Sequence, residues 1–121
     1  MEFASMHVTR CARAIYWRAK PGQFEAYSEY LRTQVEPIDH AVQEHGALTS
    51  FMTLVDKTPG APWSHMRLFV FATMAQRANM VAVLAQAATA LTPNAEDRTA
   101  RSTFAASLRD KVGESDFDLL D

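Results

Sequence analysis

Residues 11–55 read CARAIYWRAKPGQFEAYSEYLRTQVEPIDHAVQEHGALTSFMTLV, and the order of elements within this stretch decides the fold. Cys11 to Ala19 has the two-residue alternation of a strand, with Cys11, Ile15 and Trp17 set against Ala12, Ala14 and Tyr16. Lys20-Pro21-Gly22 ends it, because proline cannot donate to a ladder and glycine permits a turn. Phe24, Tyr27, Leu31, Val35, Ile38 and Val42 then follow at spacings of 3, 4, 4, 3 and 4, which is one face of an α-helix. Pro37 lies inside that pattern and removes one backbone hydrogen bond, so a kink or break is expected near Glu36, with a second segment running on to His45. Gly46 suits the left-handed residue that closes a helix, and Ala47 to Val55 is expected to be the second strand.

Working outward, residues 1–8 show no period and are expected to be a loose lead-in to one domain spanning residues 1–121. The turn-rich run from Asp56 to Pro62 joins the second strand to a third, Trp63 to Ala72, as a hairpin. Thr73 with Gln76 is a capping-box pattern opening a helix whose buried face is expected to hold Met74, Ala78, Val81, Leu84, Ala88 and Leu91. Pro93, at a favoured first helical position, starts another helix. In it Ala100, Phe104, Leu108 and Val112 step by four, Asp97 and Arg101 are spaced to pair, and Gly113 is the stop. Asp116 to Asp121 alternates enough for a short terminal strand.

Strand, helix, strand, strand, helix pair, strand is an α+β, ferredoxin-like split βαβ order, with an antiparallel sheet and helices on one face. A sheet covered on one side carries polar residues on the other. Here the third strand is apolar on both: Leu68 and Val70 on one face, Phe69 and Phe71 on the other. An exposed apolar patch of several hundred Å² is more than soluble monomers usually tolerate, so a second copy of the chain, sheet against sheet, is expected to cover it.

Composition excludes several classes of function. Net charge is −2 and the nine arginines are interleaved with acids, which gives no nucleic-acid footprint. Cys11 is the sole cysteine, so an intramolecular disulfide is impossible. The first seven residues lack a basic region followed by an apolar run, and the alanine-rich segment from Met80 to Leu91 is too short to span a bilayer. A cytoplasmic protein without membrane or nucleic-acid partners is the expectation. The four glycines form no phosphate-cradling loop, dinucleotide fingerprint or nucleophile elbow. His40 and His45 are five apart, about 140° around a helix, and cannot grip one metal together; no metal or cofactor is expected.

The strand Ala14-Ile15-Tyr16-Trp17 leading into Lys20-Pro21-Gly22, the helix with Phe24 and Tyr27, the Gly46-Ala47-Leu48 re-entry and the strand from Met66 to Phe71 before a helix together resemble the dimeric α/β-barrel superfamily. That superfamily includes antibiotic-biosynthesis monooxygenase-like, stress-responsive barrel, EthD-like and NIPSNAP-like proteins, and the resemblance covers residues 9–112. It implies a homodimer whose sheets form a barrel, with a ligand cavity inside the barrel or between each sheet and its helices. It does not imply one reaction, since such folds host unrelated activities. Haem-degrading members use a histidine in the second helical region, and this chain has none after His65. Cofactor-independent oxygenases of the group act on electron-rich aromatic compounds in an aromatic and polar pocket.

By strand alternation His65, Arg67, Phe69, Phe71, Thr49, Phe51 and Thr53 share one face, and Arg13 and Trp17 join it if the first strand has matching parity. A few polar groups among aromatics is how small-molecule sites are built. Such a set suits still better a dimer interface in which Arg67 pairs with an acid and His65 sits at the rim. His65 is the candidate for acid–base work, since its ordinary pKa is near neutrality, and Arg67 is the other catalytic candidate. Cys11 fits a small buried hydrophobe better than a nucleophile, because no residue pattern nominates a base for it. Three readings remain open. One is a homodimeric, cofactor-independent monooxygenase-like enzyme acting on a small aromatic or polyketide-like compound. The others are a small-molecule binding module without chemistry and a purely structural dimer.

Overall fold

The computed structural model describes residues 10–120; the lead-in expected over residues 1–8 lies outside them. Four strands, β1 (Cys11–Ala19), β2 (Ser50–Val55), β3 (His65–Phe71) and β4 (Arg109–Asp118), form one antiparallel sheet in the order β2-β3-β1-β4. The helices are α1 (Phe24–Tyr30), α2 (Glu36–Glu44), α3 (Met74–Ala78), α4 (Met80–Leu91) and α5 (Ala95–Leu108). This is the expected ferredoxin-like α+β arrangement, with helices against one face of the sheet.

The break expected at Pro37 is a π-helical turn, Leu31–Val35, joining α1 to α2, in which the Glu36 N–H reaches back five residues to the Leu31 carbonyl. Pro37 offers no N–H and its ring would crowd the carbonyl four residues earlier, so the wider turn relieves both problems. Beyond the π turn Asp39, 1% exposed, takes the inward place in α2, four residues after Val35 and three before the buried Val42, while Ile38 is only half-buried. Beyond it α2 closes as expected: Gly46 has φ +77°, its N–H donates to Gln43 (2.9 Å), and the Ala47 N–H donates to Val42 (3.2 Å).

Two apolar clusters lie between helices and sheet. Cys11, Val42, Leu48, Phe69, Phe71 and Met80 form one; Tyr27, Tyr30, Leu31, Ala105 and Leu108 form the other. Cys11 is buried, its thiol 3.5 Å from the Thr73 carbonyl. The capping box at Thr73 and Gln76 is present.

Four expectations are corrected. The second strand begins at Ser50, so Thr49 precedes it, although the Thr49 N–H still donates to the Val70 carbonyl (2.8 Å). The helix after Pro93 starts at Ala95, with Asn94 capping the Asp97 N–H (3.0 Å), and Arg101 donates to Thr92 Oγ1 (3.0 Å) rather than pairing with Asp97. The inward face of α4 is Met80, Val83, Leu84 and Ala87, while Val81 and Leu91 are exposed, as is Met74 on α3. Lastly, α5 ends at Leu108 and the chain continues as a ten-residue strand, with Phe104 and Val112 exposed. The four-residue stepping across Leu108 loses to pairing along β1, and the Lys20 N–H caps the Leu108 carbonyl (2.8 Å) where the chain changes direction.

Candidate functional site

Residues directly opposite in an antiparallel pair share a face. Arg13 lies across from Phe69, Trp17 from His65, Thr53 from Arg67 and Phe51 from Phe69. The structure therefore brings together on one face Arg13, Trp17, Phe51, Thr53, His65, Arg67, Phe69 and Phe71. That face is the one beneath the helices. Phe69 and Phe71 are 3% and 0% exposed within a single chain, so they form its core and cannot be the surface that meets another copy.

His65 is wholly buried between the rings of Phe24 (4.6 Å) and Tyr27 (4.5 Å). Both its ring nitrogens are engaged. The Ser28 hydroxyl donates to the Phe24 carbonyl (2.8 Å), which leaves its oxygen to accept the Nε2–H of His65 at 2.9 Å. Ser64 Oγ accepts the Ala19 N–H (2.8 Å), which leaves its own proton for Nδ1 of His65 at 2.8 Å. The neutral Nε2–H tautomer completes every one of these bonds, and a second ring proton would cost the Ser64 hydroxyl its acceptor. Burial pushes the imidazole pKa down to about 4, with Glu25 opposing. His65 is thus a neutral relay between two hydroxyls, with no lone pair left for a ligand.

Arg67 is equally committed. Its guanidinium pairs with Asp39, donates to Thr53 Oγ1 (3.0 Å) and lies 5.0 Å from the Phe69 ring centre. Burial raises the Asp39 carboxyl above its ordinary range, with the Arg67 charge pulling the other way. This is the pairing with an acid that suits a packed layer, and the acid comes from the same chain. Arg13 likewise pairs with Asp116 of β4 (2.8 Å), holding that carboxyl below its ordinary value by hydrogen bonding and charge.

Where this polar layer reaches the surface, a cleft of about 210 Å³ opens between the π turn and the β2–β3 edge. Ser28, Leu31, Arg32, Glu36, Thr53 and His65 line it. Of the expected residues only Thr53 and His65 touch it; Thr49 is exposed beyond the start of β2, and Phe51 packs on the His40 ring (4.9 Å). Asp39, Ser28 and Ser64 went unmarked in the sequence. Asp39 lies three residues before Val42 and four after Val35, close to the apolar line of the helix, and that position was the one available signal. Among the described residues no three histidine, cysteine, aspartate or glutamate side chains gather to hold a metal, and no helix is long and apolar enough to cross a membrane.

The opposite face of the sheet carries Tyr16, Met52, Leu54, Met66, Leu68, Val70 and Phe117, with Ala12 and Ala14 between them. Met52, Leu54 and Phe117 are 46%, 39% and 47% exposed. The patch in want of a cover is therefore made of these residues rather than of Phe69 and Phe71.

No protein-family profile matches the sequence, and no curated protein matches it. Solved structures do. A protein of unknown function from Nitrosomonas europaea, NE2512, superposes with a TM-score of 0.58 at 21% identity, over 95% of this chain and 93% of that one. A NIPSNAP-like domain protein from Burkholderia xenovorans gives 0.55 at 18% identity, over 95% and 86%. A dimeric protein of unknown function and ferredoxin-like fold from Bacteroides fragilis gives 0.52 at 9% identity, over 95% and 98%. At these identities the likeness concerns the backbone, and the chain has the ferredoxin-like fold that NIPSNAP-like and dimeric ferredoxin-like proteins share.

Proposed function

We propose that the protein is a homodimeric small-molecule-binding module of the cytoplasm, one ferredoxin-like domain per chain, in which two open sheet faces close on each other as a barrel. The observation that carries this reading is the apolar row Met52, Leu54, Met66, Leu68 and Val70 on a face that no helix covers. Soluble monomers seldom leave such a row in water, and a protein of similar fold is dimeric. Two such faces set together enclose an apolar space suited to a flat, poorly soluble compound. Light scattering at low micromolar protein, followed by native mass spectrometry of freshly purified material, tests it. A mass of two chains with a retained small compound is the expected result; a monomer in dilute solution overturns it.

A chemical reading, that of a cofactor-independent oxygenase acting on an aromatic or polyketide-like compound, rests on the cleft at Ser28. There a hydroxyl bonded to a neutral imidazole meets the surface beside Arg32 and Glu36. With His65 saturated, Ser28 is the group that would touch a ligand, and His65 would position it. Oxygen consumption with an electron-rich phenol, lost in Ser28→Ala, would favour this reading over simple binding.

A further inference from the structure

We infer that Arg109 is the anchor of a second ligand site, on the helix side of the sheet, that takes a small organic carboxylate. Arg109 is the first residue of β4, where α5 hands over to the sheet. Its guanidinium carbon lies 3.7 Å from the centre of the Trp17 ring and 5.5 Å from that of Tyr27. One of its nitrogens, Nη1, donates to the Tyr27 hydroxyl (3.1 Å). Among the described residues no carboxylate pairs with it. The neighbouring cations differ in this respect: Lys111 is bonded to Glu114 (3.2 Å) and Lys20 stands 4.0 Å from Asp110. Of these three cations Arg109 is the one without a carboxylate.

It faces a groove of about 500 Å³ lined by Trp17, Tyr30, Ser102, Ala105 and Ala106 together with the charged Lys20, Asp110 and Lys111. Stacking on the indole and the Tyr27 bond fix the plane of the guanidinium, so its remaining N–H groups are already oriented. A planar fork of that kind matches a carboxylate with two parallel hydrogen bonds. The small alanines of α5 leave room beside it for an apolar body. Lys20 and Lys111 add to the positive charge, which Asp110 offsets in part, and the rings and alanines on the rest of the lining favour an organic acid over a bare inorganic anion. The site stands apart from the open sheet face and does not depend on dimer formation.

The test uses Trp63→Phe protein, so that emission reports Trp17, titrated with benzoate, benzamide and inorganic phosphate. Benzoate is expected to give a saturable change, while benzamide, which has the same shape without the charge, gives none. Arg109→Gln is expected to weaken benzoate binding about tenfold or more, the value of a charge-assisted pair of hydrogen bonds. Because Arg109→Gln also removes the Tyr27 contact, Ala106→Glu is the second variant. It sets a carboxylate on the exposed wall of the groove and is expected to abolish the benzoate response with unchanged urea unfolding. Equal responses to benzoate and benzamide, a response to phosphate alone, or a benzoate response that survives Ala106→Glu would each overturn the assignment. So would the absence of any response, which would leave the stack as a tie between α5 and β1.

Discussion

Arg67 of β3 and Asp39 of α2 close an ion pair across the helix–sheet junction with side chains only 5% and 1% exposed. Removing one partner strands the other charge out of water, which costs about 3–5 kcal/mol, whereas replacing both with apolar residues of similar volume is often neutral. Arg67→Ala is expected to lose that amount in urea unfolding, as is Asp39→Ala. The double variant Arg67→Met with Asp39→Leu is expected to recover most of it. A large loss in the double variant would mean that the pair itself, rather than the avoidance of a lone charge, stabilises the fold.

His65 makes stability depend on pH, with a definite sign. Its folded pKa, about 4, is below the ordinary value of 6.5, so between the two the unfolded chain holds the extra proton. The stabilisation is complete above pH 6.5 and is lost as pH falls towards 4, with no further slope from this group below that. The full swing is about 3 kcal/mol. Asp39, raised by burial, acts in the opposite sense. Asp116, lowered by Arg13, has the same sign as His65 but acts only below its ordinary pKa of 3.8. Urea midpoints measured from pH 7.5 to 4.5 for the natural protein and His65→Asn isolate the imidazole: the slope is expected to flatten in the variant.

What the sequence disclosed and what it hid divide along a physical line. The 3.6 period of Phe24, Tyr27 and Leu31, the proline break, the Gly46 stop and the Thr73–Gln76 box are local, and each proved legible. The sheet face shared by His65, Arg67 and Phe69 is a consequence of alternation and was equally so. Two features depended on partners distant in the chain. Residues 109–112 continue the helical stepping in isolation but pair with β1, about a hundred residues earlier, and no local pattern records that. Asp39 lies as close to the line from Val35 to Val42 as Ile38 does, but a rule that follows apolar residues passes over it, and its burial depends on Arg67 of β3. The same limit concealed Ser28 and Ser64, whose role exists only once His65 is between them.

The open sheet face gives a prediction independent of the buried layer. Leu54→Lys on the edge strand β2 and Phe117→Lys on the other edge, β4, each put a charge into the apolar row. Both are expected to convert a two-chain mass to a one-chain mass in light scattering at micromolar protein, with the circular dichroism spectrum unchanged. Val81→Lys, on the outer side of α4 and 69% exposed, serves as the control and is expected to leave the mass alone. If Val81→Lys dissociates the protein while Leu54→Lys does not, the helices rather than the sheet make the contact.

Gly46 separates a backbone requirement from a packing one. Its φ of +77° is in the left-handed region, yet an added Cβ would meet no atom within 4 Å. A side chain there has room, and any cost is conformational. Gly46→Ala is expected to lose about 1 kcal/mol in urea unfolding, the usual penalty for an L-residue in that region. Gly46→Asn is expected to lose less, since asparagine visits the left-handed region more readily. The Gly46 carbonyl, which accepts from Gln76 Nε2 at 2.8 Å, is retained in both variants, so the tie between α2 and α3 is not at issue. A larger loss for asparagine than for alanine would show that the glycine is needed for space after all, and the closing turn of α2 would then have to lie closer to its neighbours than it does here.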